Sequence, residues 1–157
     1  MEIAIAVENL QRIRNHKGLT YNDLAKITGY SINSIHKLFT HGNDSKSRLD
    51  LFVSICRALD IDFSIVFSRG VVTYDSLGKP TYKNFDENGG TEFYLTNFVN
   101  KVIDLNSDYA NYHLTTVSGL SESTISDLFN FKTKNPRMET IIKIKEGLNI
   151  SEEEVFR

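Results

Sequence analysis

Apolar residues recur along this chain at three- and four-residue spacing, in short bursts that each end at a small or polar residue. Leu10 and Ile13 begin the first stripe, and their spacing predicts a helix. Thr20 precedes Asp23 by three positions, a capping-box pattern that predicts a second, short helix carrying Leu24 and Ile27. Gly29 is placed to end it, because a left-handed backbone costs glycine least. Ser31 can cap the next helix, whose Ile35, Leu38 and Phe39 form the inward face. A polar loop over residues 40–47 leads to a fourth helix with Leu51 or Phe52, Ile55 and Leu59 inward. A last turn ends at Val66-Phe67.

The whole pattern then returns. Leu24, Gly29, Ser31, Ile35, Leu38 and Phe39 each meet an identical residue 90 positions later, from Leu114 through Gly119 to Phe129. Beyond the loop the spacing becomes 89, pairing Ile55 with Ile144, Leu59 with Leu148, Val66 with Val155 and Phe67 with Phe156. One extra residue in the first loop accounts for the change. In the second copy Asn135-Pro136 is expected at the N-cap and first turn of its fourth helix, Gly147 is expected to stop that helix, and Ser151 with Glu154 forms another capping box. The fold class expected is mainly α: two tandem five-helix domains, residues 1–67 and 94–157, joined by a linker over 68–93.

The linker breaks the helical pattern. Residues 71–74 and 81–85 are β-prone runs around a glycine-containing turn, which predicts a hairpin over 71–85. A lone hairpin is marginal in water, so it is expected to pack on a domain or on another subunit. As a free coil the linker would span roughly 28 Å. That is comparable with the ~34 Å between successive major-groove faces. One chain could then place both copies on one face of DNA, and a homodimer with four motifs is equally allowed.

Composition narrows the class. The 157 residues are 40% apolar and 24% charged, ordinary for a soluble globular chain. No apolar run is long enough to span a bilayer, and the first residues lack the basic leader of a secretory signal. Cys56 is the single cysteine and cannot form an internal disulfide, which suits a reducing compartment. A cytoplasmic protein without a membrane partner is expected.

Two short helices joined at a glycine, within a five-helix unit, form a helix-turn-helix arrangement. On these residues both halves resemble the lambda-repressor/Cro-like family, also called the xenobiotic-response-element (XRE) family. The likeness covers most of residues 5–67 and 94–156, and residues 128–137 resemble the loop after the recognition helix in lambdoid phage repressors. The resemblance implies a DNA-binding transcription regulator, a repressor of phage or mobile-element type, whose second motif helix lies in the major groove of double-stranded DNA.

On that reading residues 31–39 are the reader. Ser31 caps the helix, and Ile32, Asn33, Ser34, His36 and Lys37 point outward. Asn33 suits adenine, Lys37 suits guanine, and Ile32 suits a thymine methyl. Tyr21 can reach a phosphate, and His41, Lys46 and Arg48 follow in the loop as further phosphate contacts. The plain alternative is the solvated face of an amphipathic helix. In the second copy the outward set is Glu122, Ser123, Thr124, Ser126 and Asp127 after the cap Ser121, followed by a cationic loop of Lys132, Thr133, Lys134, Asn135 and Arg137. Carboxylates must find cytosine amino groups or be repelled by phosphate. The second copy is therefore expected to grip phosphates more than it reads bases.

Charge leaves a second class open. The chain is −2 with a pI near 6.1, far from a non-specific DNA coater. Residues 1–68 carry eight Lys/Arg against seven Asp/Glu, and residues 94–157 carry seven against nine. The alternative is a protein-binding inhibitor on a helix-turn-helix scaffold, an antitoxin or a phage inhibitor of a host defence enzyme. Its protein partner would meet the C-terminal copy or the 71–85 hairpin. The four histidines have no metal-ligand spacing, no glycine-rich phosphate loop occurs, and Cys56 reads as packing. No enzyme activity, metal or cofactor is expected.

Overall fold

The computed structural model describes residues 2–40, 46–67, 90–107, 111–151 and 154–156. Helix α1 spans Glu2–Lys17 and starts well before Leu10, because Ile3, Ala6 and Val7 extend the same buried face toward the N-terminus. Helix α2 is Tyr21–Thr28. Its capping box is complete: Asp23 N donates to Thr20 Oγ1 at 3.1 Å, and Thr20 N donates to Asp23 Oδ2 at 2.8 Å. Gly29 closes the helix at φ +80°, where glycine avoids the strain of a side chain. Helix α3 (Ile32–Thr40) starts at Ser31, whose hydroxyl accepts from Ser34 N at 3.2 Å. Helix α4 is Leu49–Ala58. The fifth helix expected after it is a single 3-10 turn, Phe63–Ile65, capped by the Asp62 carboxylate.

The second half has helices in the same order. Helix α5 spans Thr91–Leu105 and so begins inside the stretch expected to be linker. Helices α6 (Asn111–Ser118) and α7 (Glu122–Phe129) flank Gly119, at φ +74°. Ser121 caps α7 by accepting from Thr124 N at 3.2 Å. Helix α8 is Met138–Gly147. Two local expectations need correction here. Asn135 and Pro136 lie before the helix, whose N-cap is Arg137. Gly147 is the last helical residue and does not stop the helix; the left-handed residue is Asn149, at φ +55°, as Asp60 is after α4 at φ +57°. Glycine at 147 answers crowding instead, since a Cβ there would sit 2.7 Å from the Val117 carbonyl oxygen of α6.

The halves are docked directly. One hydrophobic cluster runs through both, from Ile3 and Leu10 to Val155 and Phe156. Phe156 packs on Phe63 with ring centroids 4.7 Å apart and stacks on Phe67 at 5.9 Å. Tyr94 of α5 donates from its hydroxyl to Asp62 Oδ1 at 2.9 Å and accepts from Phe63 N at 3.2 Å. Arg48 and Arg137 form an antiparallel bridge, with Leu49 N donating to Pro136 O at 2.9 Å and Met138 N to Ser47 O at 2.8 Å. A free tether is therefore not what sets the relation between the halves.

Among the described residues no strand is present, and the expected hairpin at 71–85 lies outside them. No described helix is long and apolar enough to cross a membrane.

Candidate nucleic-acid interface

Helix α3 separates its residues cleanly. Ile35, Leu38 and Phe39 are buried against the core, and this burial turns the opposite side outward. Ser31, Ile32, Asn33, His36 and Lys37 are exposed and Ser34 is half-buried. Ile32 keeps 48% of its surface in solvent, on the same face as the polar residues. Asn33 and Lys37 make no hydrogen bond or ion pair with the described residues, so an amide and an ammonium stand ready for a ligand. Ser34 Oγ lies 2.9 Å from the capping Ser31 Oγ, which ties both hydroxyls to the start of the helix.

Tyr21 is held from three sides. Its ring stacks on Phe39 at 5.3 Å and meets His36 edge-on at 5.6 Å. The Arg14 guanidinium lies over it at 4.6 Å. The Tyr21 hydroxyl accepts from Gln11 Nε2 at 3.0 Å and keeps its own proton to donate. Gln11 and Arg14 were not singled out from the sequence. Their spacing of three puts them on one face of α1, which was the available signal.

Helix α7 presents a different surface on the same frame. Ile125 and Leu128 are buried, Ser121, Glu122, Ser123 and Ser126 are exposed, and Thr124 and Asp127 are half-buried. Thr124 Oγ1 lies 2.8 Å from Ser121 Oγ and so shares the cap. After the helix Phe131 takes a left-handed φ of +56°, rare for an aromatic residue. That turn lets Lys132 N and Thr133 N both donate to the Asp127 carbonyl, at 2.9 and 3.2 Å. The Lys132 and Lys134 side chains emerge into solvent and Thr133 is half-buried.

The remaining expected contacts gather where the halves meet. Arg48 donates through its guanidinium to the Asn135 carbonyl at 2.8 Å. Asn135 Oδ1 accepts from Asp50 N at 3.0 Å, so it caps α4, a helix whose own N-cap, Arg48, makes no side-chain cap bond. Arg48 and Arg137 face each other across the bridge and are both exposed. Like charges so paired repel, and an anion nearby would relieve them. Lys46 is exposed just before this seam, and His41 lies outside the described residues.

Asp50 is the polar hub of the seam and was not anticipated. It accepts from the Tyr30 hydroxyl and, at 2.7 Å, from Thr91 Oγ1. Burial, with the Asp50 carboxylate beside it, pushes the Tyr30 phenol up. Burial likewise pushes the Cys56 thiol well up, as in a packing residue inside α4.

A four-helix unit with two short helices meeting at a left-handed glycine, and a solvent-facing polar surface on the second, defines a helix-turn-helix protein. Residues 9–64, from within α1 to the 3-10 turn, match the family model of the Cro/C1-type HTH DNA-binding domain. Comparison of the chain with curated proteins and with solved structures found no match.

Proposed function

We propose that this chain is a sequence-specific regulator that binds double-stranded DNA, a repressor of phage or mobile-element type. In this reading α3 enters the major groove and the second half is a further helix-turn-helix domain. The observation that carries it is the α3 face of the Cro/C1-type domain, where Asn33 and Lys37 are exposed, with no hydrogen bond or ion pair among the described residues, beside an exposed Ile32. Tyr21, set at the start of α2 by Gln11 and Arg14, donates its proton to a phosphate. Lys132 and Lys134 hold the backbone on the other side, and Lys46 flanks the seam. We assign no reaction to the chain and no cofactor or metal.

One feature favours a second reading. A cleft of about 300 Å³ lies between α6 and α7, lined by Tyr112, Thr115, Glu122, Ile125 and Ser126, and Tyr112 is 67% exposed. A cleft with one carboxylate, Glu122, and an aromatic edge suits a protein surface that offers a cation, as an inhibitor of a host enzyme would need. Selection from a randomised duplex pool at near-physiological salt separates the readings. Enrichment of one motif establishes the regulator. Retention without a motif reduces it to phosphate-driven binding, and no retention favours the protein partner.

A further inference from the structure

The seam between the halves is symmetric in a way that one repeat beside another need not be. Leu49 N donates to Pro136 O and Met138 N donates to Ser47 O. Leu49 and Met138 are equivalent under the 89-residue spacing, and so are Ser47 and Pro136. Reciprocal bonds of this kind relate two antiparallel segments by a local twofold axis, here passing between Arg48 and its own equivalent Arg137. Phe67 and Phe156, a further equivalent pair, also meet each other, with centroids 5.9 Å apart. Reciprocal contacts between equivalent positions, with self-contact at the axis, are the mark of an isologous interface, the kind that builds twofold homodimers. Here both copies of that surface are used within one chain.

We infer that a single chain reads a complete operator of two unlike half-sites, one through α3 and the other through α7. The inference rests on the DNA-binding reading above. Twofold-related helix-turn-helix units address half-sites about one helical turn apart. In a homodimer the two readers are identical and the operator is a palindrome. In this chain equivalent outward positions differ: Ile32 corresponds to Glu122, Asn33 to Ser123, and Lys37 to Asp127. Asn33 and Lys37 favour adenine and guanine, whereas a carboxylate accepts from the cytosine amino group and is repelled by the N7 and O6 acceptors of guanine. The half-site under α7 must then differ from the one under α3. Lys132 and Lys134, with Arg48 and Arg137 at the axis, offset the repulsion between the α7 carboxylates and the backbone. The seam also fixes the spacing, since Asn135 caps α4 and Asp50 binds Thr91 across it.

The test uses the full chain, the enriched duplex and native mass spectrometry. The expected result is a non-palindromic motif bound by one chain, with at least tenfold weaker binding to inverted repeats of either half-site. Inserting five base pairs between the half-sites should cost at least tenfold, because half a turn puts them on opposite faces. Ser123→Asn combined with Asp127→Lys should shift preference toward the inverted repeat of the α3 half-site. A palindromic motif, two chains per duplex, or tolerance of the insertion would overturn the inference while leaving DNA binding intact. Absence of any motif would overturn the underlying reading instead.

Discussion

Helices α3 and α7 share a frame and differ on the surface. Each starts at a serine cap, follows a left-handed glycine, and buries an isoleucine and a leucine at matching places. Outward, α3 offers an isoleucine, an amide and an ammonium, while α7 offers hydroxyls and carboxylates. Core positions fix where a recognition helix sits, and exposed positions fix what it can bind. Function therefore lies in the two faces, because the fold beneath them is common ground.

The largest effect on this comparison should come from the seam. Phe156→Ala removes a ring packed on Phe63, Phe67 and Phe98 and should lower unfolding free energy by about 3–5 kcal/mol in urea titration. The halves should then unfold in two steps; one unchanged transition would show that the seam contributes little.

Next is α3, the proposed reader. Asn33→Ala with Lys37→Ala should weaken operator affinity about 100-fold by fluorescence anisotropy, at ~1–3 kcal/mol per base contact. Helicity and Tm should hold, because both side chains are exposed. Ser123→Ala with Ser126→Ala should cost about 30-fold or less, single neutral hydrogen bonds being worth roughly 1 kcal/mol. Equal losses would erase the proposed division between the faces.

Smaller effects separate the two frames. Gly147→Ala drives a methyl against the Val117 carbonyl and should cost about 1–3 kcal/mol by overpacking. The equivalent Ala58 already carries that methyl, so Ala58→Gly should cost only about 0.5–1 kcal/mol. Thr20→Ala should cost about 1 kcal/mol through loss of the α2 cap. The Thr20 backbone N–H, then its hydroxyl, holds the Asp23 carboxyl below its usual range. That contribution is present above the ordinary aspartate pKa and is lost as pH falls through the lowered value. Asp23→Asn should therefore flatten the acid limb of a Tm–pH profile slightly. The equivalent residue of the second half is His113, which has no carboxylate to lose.

Local grammar was legible in the sequence because its causes are local. Thr20 with Asp23, Ser31, Ser121, Gly29 and Gly119 act within one turn of where they stand, and the buried stripes repeat at helical period. Misreadings occurred where the cause was distant. Gly147 suggested a helix stop, yet its reason is a carbonyl on another helix. Asn135 suggested a cap for the helix that follows it, yet it caps α4 from 85 residues away. In the sequence Arg48 and Arg137 are separate loop cations, and only the docked halves place them face to face. The outward set on α3 needed no tertiary knowledge, because Ile35, Leu38 and Phe39 assign the opposite side by spacing alone.

The bridge between Arg48 and Arg137 also bears on dose. Two free subunits must first find each other, and their active form grows with the square of concentration when it is scarce. A seam closed inside one chain has no such step, since its partner is always present at the high effective concentration of a tether. Occupancy of a target would then rise in simple proportion to the number of molecules, without a threshold. A few copies would act as soon as they were made, and a fall in their number would be felt gradually rather than abruptly.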